Sequence, residues 1–129
     1  MLKINLICLG DIKEKYLRDA CDEYKKRLSR YCSLDIIELQ PVRLPEKPSL
    51  AEIESALSKE AQSIIKIIPQ NAEVFSLCVE GKGLSSEKFA KNLSGLESAG
   101  KPIVFIIGSS YGLSDTIKNL SNVKLSLSD

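Results

Sequence analysis

No histidine occurs among the 129 residues of the chain. That absence removes the Ser-His-Asp triad, the Cys-His nucleophile pair and every histidine metal site. Cysteine is sparse and scattered: Cys8, Cys21, Cys32 and Cys78 form no CxxC pair and lack the spacing of a structural zinc site. The opening Met1-Leu2-Lys3-Ile4-Asn5 reads as a strand, with no charged leader, long apolar run and cleavage site. The cysteines are therefore expected to be buried free thiols of a cytoplasmic protein. No apolar stretch approaches the length needed to cross a bilayer. Charge of one sign is not in excess either: 18 Lys and Arg stand against 17 Asp and Glu, so contact with nucleic acid has to come from local patches. Neither GxGxxG nor the Gly-Lys-Ser/Thr of a phosphate loop is present. An enzyme of this composition brings two substrates together more than it performs acid–base chemistry.

What is present fits one soluble domain with one core, at 43% apolar and 27% charged residues. Leu2 to Leu9 alternates, then turns apolar, and predicts a largely buried strand ending at Gly10. From Lys13 to Tyr31, Leu17, Cys21, Tyr24, Leu28 and Tyr31 recur at spacings of four and three, one apolar stripe on a helix. Leu34 to Leu39 is a second strand, followed by a proline-rich loop from Gln40 to Pro48. Ser49 with Glu52 makes a capping box, and Leu50, Ile53, Leu57, Ala61, Ile64 and Ile68 continue a helical stripe until Pro69. Glu73 to Val79 is a third strand, running into Glu80-Gly81-Lys82-Gly83. Ser85 caps a helix whose inner face is Phe89, Leu93 and Leu96, ended by Gly100. Ile103 to Ile107 is an uninterrupted apolar run, as in a central parallel strand covered on both faces. A short helix from Ser114 to about Leu120 and a strand from Val123 to Leu127 complete the pattern. Strand and helix alternate about five times, which predicts an α/β parallel sheet with helices on both faces.

In open parallel sheets ligands bind beyond the carboxyl ends of the strands. Two loops there are glycine-rich. Gly108-Ser109-Ser110-Tyr111-Gly112-Leu113-Ser114 follows the apolar run, and reads first as a tight strand-to-helix turn capped by Ser114, second as a ligand loop. In Glu80-Gly81-Lys82-Gly83, a solvated turn is the first reading, and Glu80 and Lys82 orienting a loop or holding a ligand is the second. Lys25-Lys26-Arg27 with Arg30 reads as a solvated helix end favoured by the dipole, ahead of a contact with phosphates.

Taken in order, the segments resemble the family of 23S ribosomal RNA pseudouridine N3-methyltransferases, of the SPOUT class. The matching stretches are Leu6-Ile7-Cys8-Leu9-Gly10, Lys13-Glu14-Lys15-Tyr16, Glu23-Tyr24-Lys25-Lys26-Arg27-Leu28 and Asp35-Ile36-Ile37-Glu38-Leu39. Further on come Glu80-Gly81-Lys82 with Leu84-Ser85-Ser86-Glu87, Ile106-Ile107-Gly108 through Gly112-Leu113-Ser114, and Lys124-Leu125-Ser126-Leu127-Ser128. The similarity runs in one register from Met1 to Ser128.

The resemblance implies a SPOUT fold with a C-terminal trefoil knot and a homodimer; no metal is expected, from the missing histidine and the scattered cysteines. It also implies S-adenosylmethionine as methyl donor and a pseudouridine of the ribosome's large-subunit RNA as acceptor. Carried over by position, the cofactor contacts fall on Leu77, Gly108, Leu127 and Ser128. The chemistry tolerates the missing histidine, because the sulfonium methyl is already electrophilic and the main task is in-line alignment; no residue is assigned to the N3 proton. Two departures stand out. Ser109 occupies a position where the family has a second glycine, and the chain stops at Asp129 where family members continue into the rest of the knot. Residues 1–129 are thus expected to be one SPOUT-like domain, truncated relative to the family, with an incomplete knot and a half-built cofactor site. The alternative function is a non-catalytic RNA- or ribosome-associated domain that kept the fold and lost the site; a small-nucleotide binder is a third.

Overall fold

A computed structural model describes residues 1–127 of the chain. The elements follow in the order β1 (Leu2–Leu9), α1 (Lys15–Leu28), β2 (Cys32–Leu39), α2 (Leu50–Ile65), β3 (Glu73–Gly83), α3 (Ser86–Ser98), β4 (Ile103–Ile107), α4 (Asp115–Leu120) and β5 (Val123–Ser126). The strands form one sheet in the order β2-β1-β4-β3-β5, and all four pairings are parallel. The expected α/β architecture is therefore the observed one. Every strand's carboxyl end, and so every strand-to-helix loop, opens on the same rim.

The apolar run Ile103–Ile107 takes the centre of the sheet, and its alternation assigns the helices to faces. Val104 and Ile106 pack with Ile7, Leu9 and Val74 against Ala61 and Ile64 of α2 and Ile117 of α4. Ile103 and Phe105, on the other side, pack with Phe75 and Leu125 against Phe89, Leu93 and Leu96 of α3. Phe75, Phe89 and Phe105 form a ring cluster there, with centroids 5.0 to 6.3 Å apart. The helices α2, α3 and α4 thus turn their apolar stripes to the sheet and their polar faces to water.

The capping signals hold. Ser49 and Glu52 make both bonds of the capping box, while Ser85 and Ser114 each accept from the backbone N–H three residues on. Several boundaries shift. The first helix is Lys15–Leu28 rather than Lys13 to Tyr31, and its stripe does not reach the core: none of its residues is buried, and Leu17, Tyr24 and Leu28 are exposed. In α2, Leu50 is exposed and Ile68 lies beyond the helix end, whereas Ala56 and Glu60 are buried. The thiols are free, but only Cys32 is buried; Cys8, Cys21 and Cys78 are half-buried. Burial is the main cause that raises the Cys8 and Cys32 thiols above their ordinary value, with Glu38 adding to it at Cys8.

One core residue is chemically out of place. Ser76, in the middle of β3, is fully buried, and its hydroxyl has no hydrogen-bond partner among the described residues. An unpaired buried hydroxyl destabilises. Ser76→Ala is expected to raise stability by about 1 kcal/mol in denaturant unfolding; a loss of that size instead would show that the hydroxyl has a partner.

Candidate functional site at the carboxyl rim

The three sheet strands β4, β3 and β5 are neighbours, and their register aligns their ends. Leu77 is the cross-strand partner of Ile107 on one side and of Leu125 on the other. Gly108 follows Ile107 directly, and Leu127 lies two residues past Leu125. Adjacent strands lie about 4.8 Å apart, so the positions Leu77, Gly108 and Leu127 occupy one short stretch of the rim. Ser128 lies outside the described residues. Leu77 is half-buried against the α3 side of the core, and Leu127 is 80% exposed. No single cavity encloses all three among the described residues. A cleft of about 590 Å³ runs beside Leu127, between β5 and the start of α3. A second of similar size lies beyond the loop after β4, toward Leu39 and α2.

Between Leu77 and Lys82 the chain leaves the sheet and returns. Leu125 pairs with Leu77 and again with Lys82, and Ser126 pairs with Gly83. Residues Cys78 to Gly81 are extruded as a finger at the rim, with Val79 at 94% exposure. The solvated turn expected for Glu80-Gly81-Lys82-Gly83 is therefore replaced in part by strand pairing. Gly81 makes that return possible, since a Cβ there would sit 2.7 Å from the Leu125 carbonyl carbon. The finger is braced from below: Lys118 of α4 forms a hydrogen-bonded ion pair with Glu80. That hydrogen bond is the main cause holding the Glu80 carboxyl below its ordinary value and raising the Lys118 amine above its own. Glu80 thus orients a loop, one of the two roles open to it from sequence.

The loop after β4 is a tight turn, as its first reading had it. The Gly112 N–H bonds back to the Ser109 carbonyl at 2.8 Å, and a Cβ at Gly108 would fall on the Gly112 carbonyl. Ser109 does not crowd the space over β3, because its hydroxyl donates to Glu60 of α2 at 3.1 Å. Glu60 was invisible as a site residue from sequence; only its polar character on an apolar helix stripe marked it. The basic residues at the end of α1 are exposed, with Arg27 paired to Glu23 at 3.1 Å. Among the described residues no group of metal-ligating side chains is assembled, and no helix is long and apolar enough to cross a membrane.

The all-parallel sheet with glycine turns at its carboxyl rim is an α/β architecture shared by many families, and its class is given by the match of residues 2–129 to the family model described as predicted SPOUT methyltransferase. The particular family follows from individual relatives. Ribosomal RNA large subunit methyltransferase H of Streptococcus equi subsp. equi is 48% identical over 126 residues, which are 97% of this chain and 79% of the relative. The proteins of that name from Clostridioides difficile and Streptococcus pyogenes serotype M12 are each 45% identical, over 98% and 97% of the chain and 80% and 79% of the relative. The chain belongs to the SPOUT methyltransferases, in the ribosomal RNA large subunit methyltransferase H family, and is a methyltransferase.

Two outcomes test the rim. Gly81→Ala is expected to cost roughly 1–3 kcal/mol, read as a lower denaturant midpoint, because the new methyl meets backbone that cannot yield; an unchanged midpoint would contradict the close approach. The second concerns pH. The Glu80 value is lowered on folding, so its contribution is complete above the ordinary 4.5 and fades as pH falls through the folded value. The Lys118 value is raised, so its contribution is complete below 10.5 and fades only as pH rises beyond it. In Lys118→Met the Glu80 carboxyl should titrate at a higher pH than in the unsubstituted chain when followed by NMR, while its own backbone hydrogen bond and Lys124 still act to lower it. A titration identical to that of the unsubstituted chain would show that Lys118 does not hold it.

Proposed function

We propose that the chain transfers a methyl group from S-adenosylmethionine to N3 of a pseudouridine in large-subunit ribosomal RNA, and that it acts as a homodimer in the cytoplasm. Residues 1–129 act as one domain in this reading. The observation that carries it is the alignment on one rim of Gly108 and Leu125–Leu127 with Leu77, where β3 leaves the sheet for its finger. The relatives' name supplies the ribosomal RNA.

The residues fit the donor. S-adenosylmethionine supplies a sulfonium-bound methyl that is electrophilic without further activation. What the chain contributes is shape and position. Gly108 lets the turn close tightly on itself, since a Cβ there would fall on the Gly112 carbonyl, and Leu77 offers an apolar contact where β3 leaves the sheet, suited to an adenine ring. Leu127 flanks the third side in this reading, and Ser128 is carried over by sequence position alone. The braced finger and the tethered turn keep the rim in one geometry, which matters because in-line displacement tolerates little misplacement.

The homodimer has its support in what the monomer leaves uncovered. The stripe of α1 presents Leu17, Tyr24 and Leu28 to solvent, with Tyr16 and Tyr31 beside it. On the α3 face of the sheet, Ile107 is 39% exposed, and Leu6 and Cys8 are only half-buried. Apolar surface of this kind marks an association face.

Titration calorimetry with S-adenosylmethionine, followed by incubation with ribosomes lacking the modification, tests the reading. The expected result is saturable binding and one added methyl on a pseudouridine of the large-subunit RNA, located by mass spectrometry of nuclease fragments. Light scattering should give twice the chain mass. Ribosome binding without any donor affinity would favour the non-catalytic reading and end this one.

A further inference from the structure

We propose that Glu60 is a positioning residue: its buried carboxylate ties the turn after β4 to the loop between β2 and α2, so that the two walls of one cleft move together. Glu60 is 5% exposed. A carboxylate taken this far from water has to be held by hydrogen bonds. Its two oxygens point to different parts of the chain. Oε2 accepts from the Val42 backbone N–H at 2.9 Å, and Oε1 accepts from the Ser109 hydroxyl at 3.1 Å.

The carboxylate can act as a tie because its own helix is anchored at both its core face and its start. Ala61 and Ile64, beside it on α2, are buried in the core, and the helix start is fixed by the Ser49–Glu52 box. The partners are otherwise lightly held. Val42 lies in an irregular, proline-containing loop, and Ser109 begins a turn closed by one backbone bond to Gly112. Both loops line the cleft of about 590 Å³ that also includes Gly10, Gln40 and Glu60. Fixing Ser109 fixes the residue next to Gly108, so the tie reaches the donor turn; this last step rests on the donor assignment above.

The test uses Ser109→Ala, Glu60→Ala and Glu60→Gln. Glutamine can still accept from Val42 with its carbonyl oxygen and can donate to the Ser109 hydroxyl with its amide, so it should restore the tie without the charge. Amide hydrogen exchange read by NMR needs no ligand. Exchange at Val42 and Gly112 should accelerate about tenfold in Glu60→Ala and stay near that of the unsubstituted chain in Glu60→Gln. Ser109→Ala, which leaves α2 untouched and keeps the test open if Glu60→Ala does not fold, should accelerate Gly112 and, through the freed carboxylate, Val42. Affinity for S-adenosylmethionine should fall about fivefold in the two alanine variants, the size of one net hydrogen bond, and recover in Glu60→Gln. Unchanged exchange at both amides would overturn the tie. Donor binding by the unsubstituted chain that is equalled by both alanine variants would overturn its positioning role. If the unsubstituted chain binds no donor at all, the donor assignment fails, and the exchange pattern still decides whether the two loops are coupled.

Discussion

The parallel pairing of β3 with β4 on one side and β5 on the other is the constraint from which the rest of the rim follows. Leu77 is opposite Ile107 and Leu125 at once, so three chain segments far apart in sequence end side by side. Backbone hydrogen bonds fix that register, and a one-residue slip would turn Phe75 and Leu77 out of the α3 side of the core. The core and the site are therefore set by the same ladder. Ile103, Val104 and Ile106 have no exposure at all, so the central strand is closely packed on both faces.

Around this rigid ladder the loops are held by a few specific ties. Glu80 meets Lys118 under the finger, Ser109 meets Glu60 behind the turn, and Gly81 lets the finger rejoin the sheet. Each tie joins a rim loop to α2, α4 or β5, elements packed on or within the sheet. With the donor proposed above, a methyltransferase needs position more than acid–base groups. The absence of histidine and the presence of these braces are two sides of one economy of design.

The α1 stripe shows what a periodic pattern can and cannot tell. Leu17, Cys21, Tyr24 and Leu28 do lie along one side of a helix, as the spacing requires. Yet no residue of that helix is buried within the chain. Periodicity records that a face is apolar; it carries no information about which surface covers it. The same limit applied at Glu60, which the apolar stripe of its helix did not single out and which proved to be a buried acceptor for two loops.

The sequence by itself determined the element types, their order and three of their caps, because these depend on local periodicity and on side chains within three or four residues of each other. It also carried enough collinear similarity to identify the family. Only the tertiary structure decided the strand order, the return of β3 to β5 past Gly81, the partners of Glu80 and Glu60, and the exposure of α1. Those depend on residues such as Ser109 and Glu60, 49 positions apart, meeting across a folded sheet. Nothing in the local pattern of either one specifies the distance to the other.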